Sequence, residues 1–195
     1  MPLKLITAPT AEPVSLVEAK LHLRVEHSAD DTLIGALITA ARRSAEHELG
    51  RALITQTREL VFDGFPVAEI DLQLPDVQAI VSVKYIADDT GTEVTLASTD
   101  YSLDADSTPC WLLPDYTVGD WPAARDTTNA VRIRFTAGYG DAGSDVPAAI
   151  RQWILLGIGT LYAQREGVVA GVSLAELPRG YVGGLLDPYR VMRVF

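Results

Sequence analysis

The sequence predicts an α+β protein: a helical bundle with three main helices, an antiparallel β-rich insertion between helices two and three, and an extended C-terminal arm. Three observations carry this. Apolar residues recur at helical spacing in two stretches before Gly50 and in one after Asp145. Between those stretches the period falls to two, with turn residues every few positions. The excess negative charge is confined to that middle stretch: residues 63–126 hold 13 acids against two bases, a net of −11. The rest of the chain carries 13 acids and 14 bases, a net of +1, so the total of −10 belongs to the middle.

Residues 1–14 read as an extended lead-in punctuated by Pro2, Pro9 and Pro13. Ser15-Leu16-Val17-Glu18 then has the spacing of a capping box, in which hydroxyl and carboxylate each satisfy an amide that a helix start leaves open. A short helix should follow, to about Arg24. Ser28-Ala29-Asp30-Asp31 repeats the start signal. Leu33, Leu37, Ala40, Ala41, Ala45 and Leu49 recur at helical spacing until Gly50, which accepts the left-handed conformation that ends helices. The second helix is therefore expected over 30–49, with Arg42, Arg43, Glu46 and Glu48 facing solvent or a partner.

After Gly50 come short β-rich runs: Ile54–Phe62, Glu69–Leu74, Ile80–Ile86, Glu93–Leu96, Asp100–Leu103 and Val131–Phe135. Turn chemistry separates them, as in Asp63-Gly64 and Asp88-Asp89-Thr90-Gly91. Val131, Ile133 and Phe135 alternate with Arg132 and Arg134, the pattern of a sheet wet on one face.

The third helix, expected over 146–166, is apolar on nearly every face from Ile150 to Tyr162. Asp145 stands where an N-cap carboxylate would, and Pro147 falls in the first turn, where a missing donor costs nothing. Arg151, Gln152, Gln164 and Arg165 leave an uncharged run of about a dozen residues, short of the ~18 that a membrane span needs. This is a buried helix, covered by the rest of the chain or by neighbouring subunits, and no membrane partner is expected. Residues 167–195 hold five glycines and two prolines but also Tyr181, Leu185, Leu186, Tyr189, Val191, Met192 and Phe195. So many large apolar groups indicate an arm that orders on another surface or an extension packed on its own subunit. The expected organisation is 1–52 N-terminal helices, 53–137 acidic insertion, 138–166 core helix and 167–195 arm.

Nothing in the chain assembles a reaction. Gly138-Tyr139-Gly140-Asp141-Ala142-Gly143 spells G-x-G-x-x-G, but Asp141 and Asp145 would stand where a pyrophosphate should lie, and no strand follows the helix. His22, His27 and His47 form no i, i+4 pair and none is matched with cysteine, so no metal is expected. Cys110 reads as a small buried apolar residue in a protein made in a reducing compartment. No segment marks the protein for secretion. An apolar content of 48% excludes global disorder. Acid excess and the lack of a basic, aromatic face argue against tight nucleic-acid binding, though a wall that DNA slides past could use the repulsion. No enzyme activity and no cofactor are expected.

Several pieces in order resemble one family. They are the Pro13-to-Arg24 opening, the Gly50-Arg51-Ala52-Leu53 corner, Val83-Lys84-Tyr85, and Ala137-Gly138-Tyr139-Gly140 leading to Val146-Pro147 and Tyr162. The chain over about 13–166 is similar to the head-tail connector (adaptor, or head-completion) proteins of long-tailed double-stranded DNA phages and phage-like particles. The resemblance implies a non-enzymatic ring, commonly of twelve copies, in the virion at the head-tail junction, made in the bacterial host cytoplasm. It would dock beneath the portal protein, extend the channel for double-stranded DNA without specific binding, and present a platform to a tail-side stopper or neck protein. Arg42, Arg43, Glu46, Trp153, Leu156 and Tyr162 are then the candidates for subunit–subunit contacts. Arg179, Tyr181, Leu185, Leu186, Tyr189, Arg190, Met192, Arg193 and Phe195 are the candidates for a portal-docking arm. The alternatives are a tail-side completion protein and, from a different class, a small acidic nucleotide-binding enzyme.

Overall fold

The structure is a computed structural model and describes residues 3–164 and 179–191, without the side chains of 179–181. Two compact units make it up: one from residues 1–10 and 55–139, the other from 11–54 and 140–195.

The first unit is all β, and its main sheet has five antiparallel strands in the order β1-β2-β8-β4-β5. These are β1 (Lys4–Thr7), β2 (Gln56–Phe62), β4 (Val77–Ile86), β5 (Glu93–Thr95) and β8 (Val131–Ala137). A second antiparallel sheet of three strands has the order β3-β7-β6, with β3 (Ile70–Asp71), β6 (Tyr101–Asp104) and β7 (Trp111–Pro114). Along β8 the expected alternation holds: Val131, Ile133 and Phe135 are buried, while Arg132 is exposed and Arg134 half-buried. Leu60 of β2 and Val83 of β4 lie directly across from Ile133, so the buried face continues over three strands. On the opposite face Arg134 Nε donates to Glu59 Oε2 at 2.5 Å. Two register shifts in β4 let the strand cross from Val77 to Tyr85 with irregular pairing.

Two strands went unseen in the sequence. The lead-in contains β1, which pairs with β2 and so forms an edge of the main sheet. The segment after Cys110 contains β7, the middle strand of the small sheet. Both are four residues long and bounded or ended by proline, which weakens any strand signal. Cys110 is buried, as expected, and burial pushes its thiol pKa up, away from reactivity.

The second unit is helical. Helices α1 (Leu16–Leu23), α2 (Asp31–Leu49) and α3 (Ala148–Ala163) match the three expected, and a short α4 (Arg179–Gly184) lies in the stretch read as an arm. The capping box of α1 is complete. Glu18 N donates to Ser15 Oγ at 3.2 Å, and Ser15 N donates to Glu18 Oε2 at 2.9 Å. Arg151 of α3 pairs with the same carboxylate and donates through Nε to the Pro13 carbonyl at 3.0 Å. One glutamate thus starts α1 and ties it to α3.

The Ser15 amide, then the Ser15 hydroxyl, then the Arg151 charge hold the Glu18 carboxyl below its ordinary range, against partial burial. A depressed carboxyl stabilises the fold above its unfolded pKa of about 4.3 and loses that contribution as pH falls through the lower folded value. Glu18→Gln should therefore flatten the acid limb of the stability-versus-pH curve. An acid limb as steep as that of the parent in acid titration by circular dichroism would contradict this role.

The inward face of α2 departs from expectation. Ile34, Ile38, Ala41, Arg42, Ala45 and Leu49 are buried, whereas Leu33 is 37% exposed and Ala40 is exposed. The stripe is rotated by about one residue at its N-terminal end. Gly50 closes the helix at φ 67°, as its position required. The start of α3 is also corrected. Its N-cap is Pro147, while the Asp145 carboxylate accepts from Ala142 N at 3.0 Å and belongs to a 3-10 turn, Gly143–Asp145.

Candidate assembly interface

The three faces of α3 meet different surroundings. Ile150, Ile154 and Ile158 are fully buried at four-residue spacing. Trp153 and Leu156, two of the residues expected at subunit contacts, are only half-buried, and Leu161 is 45% exposed. Between α2 and α3 lies a groove of about 300 Å³, floored by Ala40, Ala41, Ser44 and Gly157 and walled by Trp153 and Leu161. Gly157 lies beside Ala41 across the groove: a Cβ there would stand 3.9 Å from that of Ala41, an ordinary contact. Small residues on both sides keep the groove open, and its exposed surface is mostly apolar.

The charged candidates divide. Arg43 is exposed. Arg42 is not: only 5% exposed, it donates through Nε to Glu12 at 2.7 Å and through Nη1 to Glu46 at 2.9 Å. Glu46 also accepts from Leu53 N at 3.1 Å, and Glu12 accepts from Thr39 Oγ1 at 2.9 Å. Arg42 and Glu46 therefore fasten the lead-in and the Gly50 corner to α2 within this chain, where they had been expected at subunit contacts. The spacing held a clue, since Arg42 falls on the stripe of Ile34, Ile38 and Ala45 with Glu46 one turn on. Tyr162 is half-buried, and its hydroxyl donates to Asp30, the N-cap of α2. Asp30 uses its side chain there and makes no cap bond, so Tyr162 too is engaged within its own chain.

The arm is likewise reassigned in part. Leu186 is fully buried, Arg190 pairs with Glu48 of α2, and Val191 N donates to the Leu49 carbonyl at 3.0 Å. These residues pack on their own helical unit. Leu185 and Tyr189 are half-buried. Arg179 and Tyr181 fall on α4, with side chains outside the described residues, and Met192, Arg193 and Phe195 lie outside them altogether.

The glycine motif has a packing explanation. Strand β8 runs antiparallel to both neighbours, so the motif does not sit in a βαβ unit. A Cβ on Gly140 would lie 2.2 Å from Asp145 Oδ2, and one on Gly143 would lie 2.8 Å from the Pro13 carbonyl oxygen. The space that a pyrophosphate would need is filled by a carboxylate and backbone. Among the described residues no group of His, Cys, Asp and Glu is placed to hold a metal ion, and no helix is long and apolar enough to cross a membrane.

Residues 13–99, rather under half of the chain, match the family of phage gp6-like head-tail connector proteins. That segment holds α1, α2 and the first strands of the insertion, including the opening and corner on which the sequence resemblance rested. No curated protein matches the chain.

Three solved structures share the fold over 100% of this chain and 98% of theirs, each at 23% identity. They are the neck of an empty gene transfer agent particle computed with C6 symmetry (TM-score 0.82), the virion of a native gene transfer agent particle (0.80), and the neck of a native particle computed with C12 symmetry (0.74). The α+β fold and the likeness to head-tail connectors are both borne out.

Proposed function

We propose that this chain is a structural subunit of the head-tail connector of a phage or phage-like particle, arranged as a ring of about twelve copies below the portal. The match of residues 13–99 to the connector family carries the reading. The α2 and α3 surface supports it. Among the described residues, α3, apolar on nearly every face, has Ile150, Ile154 and Ile158 fully covered, and a neighbouring copy seated in the groove at Trp153, Gly157 and Leu161 would cover more. Arg43, Leu156 and the rim of that groove are the lateral contacts. The β unit, with its exposed carboxylates, stands along the route of the double-stranded DNA, repelling phosphate so that the genome passes without sticking. Portal docking falls to Arg179, Tyr181, Met192, Arg193 and Phe195, because Leu186 and Arg190 are already engaged. A tail-side stopper or neck protein binds the opposite end. The role is mechanical and involves no reaction and no cofactor.

The test is the mass of the purified protein alone and mixed with its portal. Portal particles should gain about twelve copies of the chain. Leu161→Arg places a charge in the lateral contact and should lower that uptake at least tenfold, equivalent to about 1.4 kcal/mol or more, with an unchanged helical signal. Portal particles that gain no mass, or a Leu161→Arg variant that assembles like its parent, would refute the ring contact described.

A further inference from the structure

The β unit carries an aromatic cluster that the lateral contacts proposed above do not involve. Phe65 and Trp121 stack face to face, with ring centroids 5.0 Å apart and planes 4° from parallel. Tyr85 meets Phe65 edge-on at 5.6 Å. The indole N–H of Trp121 donates to the Ala68 carbonyl at 2.7 Å, which pins one loop on the other. Both rings stay only half-buried, and beside them opens a groove of about 440 Å³ lined by Phe65, Pro66, Val67, Trp121 and Pro122. Val67, at its rim, is 100% exposed. Isolated exposed valines are ordinary, but here a stacked aromatic pair with two prolines gives an apolar face to a groove whose exposed surface as a whole is more polar than apolar.

The charge around it has one sign. Asp120 lines the groove, and Asp63 and Glu69 flank the 64–68 loop; all three are exposed. The cation nearest in sequence, Arg125, has its guanidinium against Gly91 and is not among the residues that line the groove. No base lines the groove.

We propose that this groove docks a protein segment that combines an apolar anchor with arginine or lysine, the anchor against the Phe65 and Trp121 stack and the cations on Asp63, Glu69 and Asp120. Charge complementarity selects this occupant over a second copy of the same acidic surface, which would bring carboxylate against carboxylate. Phosphate-bearing partners are repelled for the same reason. Long cationic side chains also gain from the aromatic faces beside the acids. In the connector this would be how a protein partner engages the β unit, but the site is a property of the single chain and is testable without a ring.

The experiment uses the full chain, isotope-labelled on its three indoles, Trp111, Trp121 and Trp153, with the Trp121 signal identified from its loss in Trp121→Phe. A short synthetic peptide of alternating arginine and leucine is titrated in, beside one with glutamate for arginine and one with serine for leucine. The arginine–leucine peptide should shift the Trp121 signal while Trp111 and Trp153 stay in place. Its affinity should fall severalfold in Asp120→Lys, read from the Trp121 signal, and about tenfold in Trp121→Ala, read by calorimetry because that indole is gone. Equal binding of the glutamate peptide, shifts at Trp153 instead of Trp121, or no binding at all would overturn the proposal. So would concentration-dependent broadening of Trp121 without peptide, which would make a second copy the occupant. Failure of the ring test above leaves these signals unaffected, so the two readings fail separately.

Discussion

Arg42→Ala is expected to destabilise the helical unit by about 3–5 kcal/mol, the cost of removing one partner from a buried ion pair. The magnitude follows from what is left behind. The Glu46 side chain is only 9% exposed and accepts from Leu53 N as well as from Arg42, while Glu12, 30% exposed, accepts from Thr39 as well as from Arg42. Two carboxylates within reach of one guanidinium would then face each other across the space it vacated. Solvent reaches Glu12 and softens its share, so the penalty rests mainly on Glu46. Urea unfolding followed by far-ultraviolet circular dichroism measures the loss. The double variant Arg42→Met, Glu46→Met should recover part of it, because it removes the more deeply buried carboxylate, while Glu12 still lacks Arg42 and the Leu53 amide loses its acceptor. A single-variant loss below about 1 kcal/mol would show that the pair behaves as a surface salt bridge.

Arg42 also shows where sequence reading stops. The start of α1 and the end of α2 were legible because their signals are local: Ser15 and Glu18 lie three residues apart, and Gly50 sits directly after the last buried leucine. The fold class was legible because the change of period at Gly50 needs no knowledge of partners. Arg42, by contrast, is buried by Glu12, a residue 30 positions earlier in a lead-in without any period. A charge amid Arg43, Ser44 and Glu46 looks solvated until that distant partner is placed. The same limit hid β1, whose four residues form a strand because β2 lies beside them some fifty positions later. It also hid the packing of Leu186 and Arg190, since a glycine-rich tail advertises no target and the target proved to be the end of α2. As for assembly, the sequence singled out α3 by its uniform apolarity, but which of its faces stays open depended on where α2 packs. Trp153 and Leu156 stayed partly open, Tyr162 was taken up by Asp30, and the groove beside Gly157 and Leu161 had no sequence signature beyond small residues at helical spacing.

Phe135→Ala should cost the β unit about 3–5 kcal/mol, the range for emptying a buried phenylalanine site. Phe135 is fully buried in β8, the central strand of the main sheet, facing Arg58 on β2 and Ile80 on β4. Hydrogen-bonded strands on both sides hold the backbone in register, so the sheet has little freedom to collapse into the space that the ring leaves. At Val81, by contrast, a side chain 56% exposed on the next strand should tolerate alanine within about 0.5 kcal/mol. The chain supplies its own reporters for where the damage falls. Trp111 and Trp121 belong to the β unit and Trp153 to the helical unit. In Phe135→Ala the transition seen by Trp111 and Trp121 should move to lower urea further than that seen by Trp153, and Arg42→Ala should show the reverse order. Coincident transitions in both variants would mean that the two units unfold as one cooperative body, a different mechanical element from two cores each stabilised from within. Separate transitions would make Phe135→Ala the sharper probe of assembly as well. It would weaken the groove at Phe65 and Trp121 while leaving Gly157 and Leu161 in place to make lateral contacts.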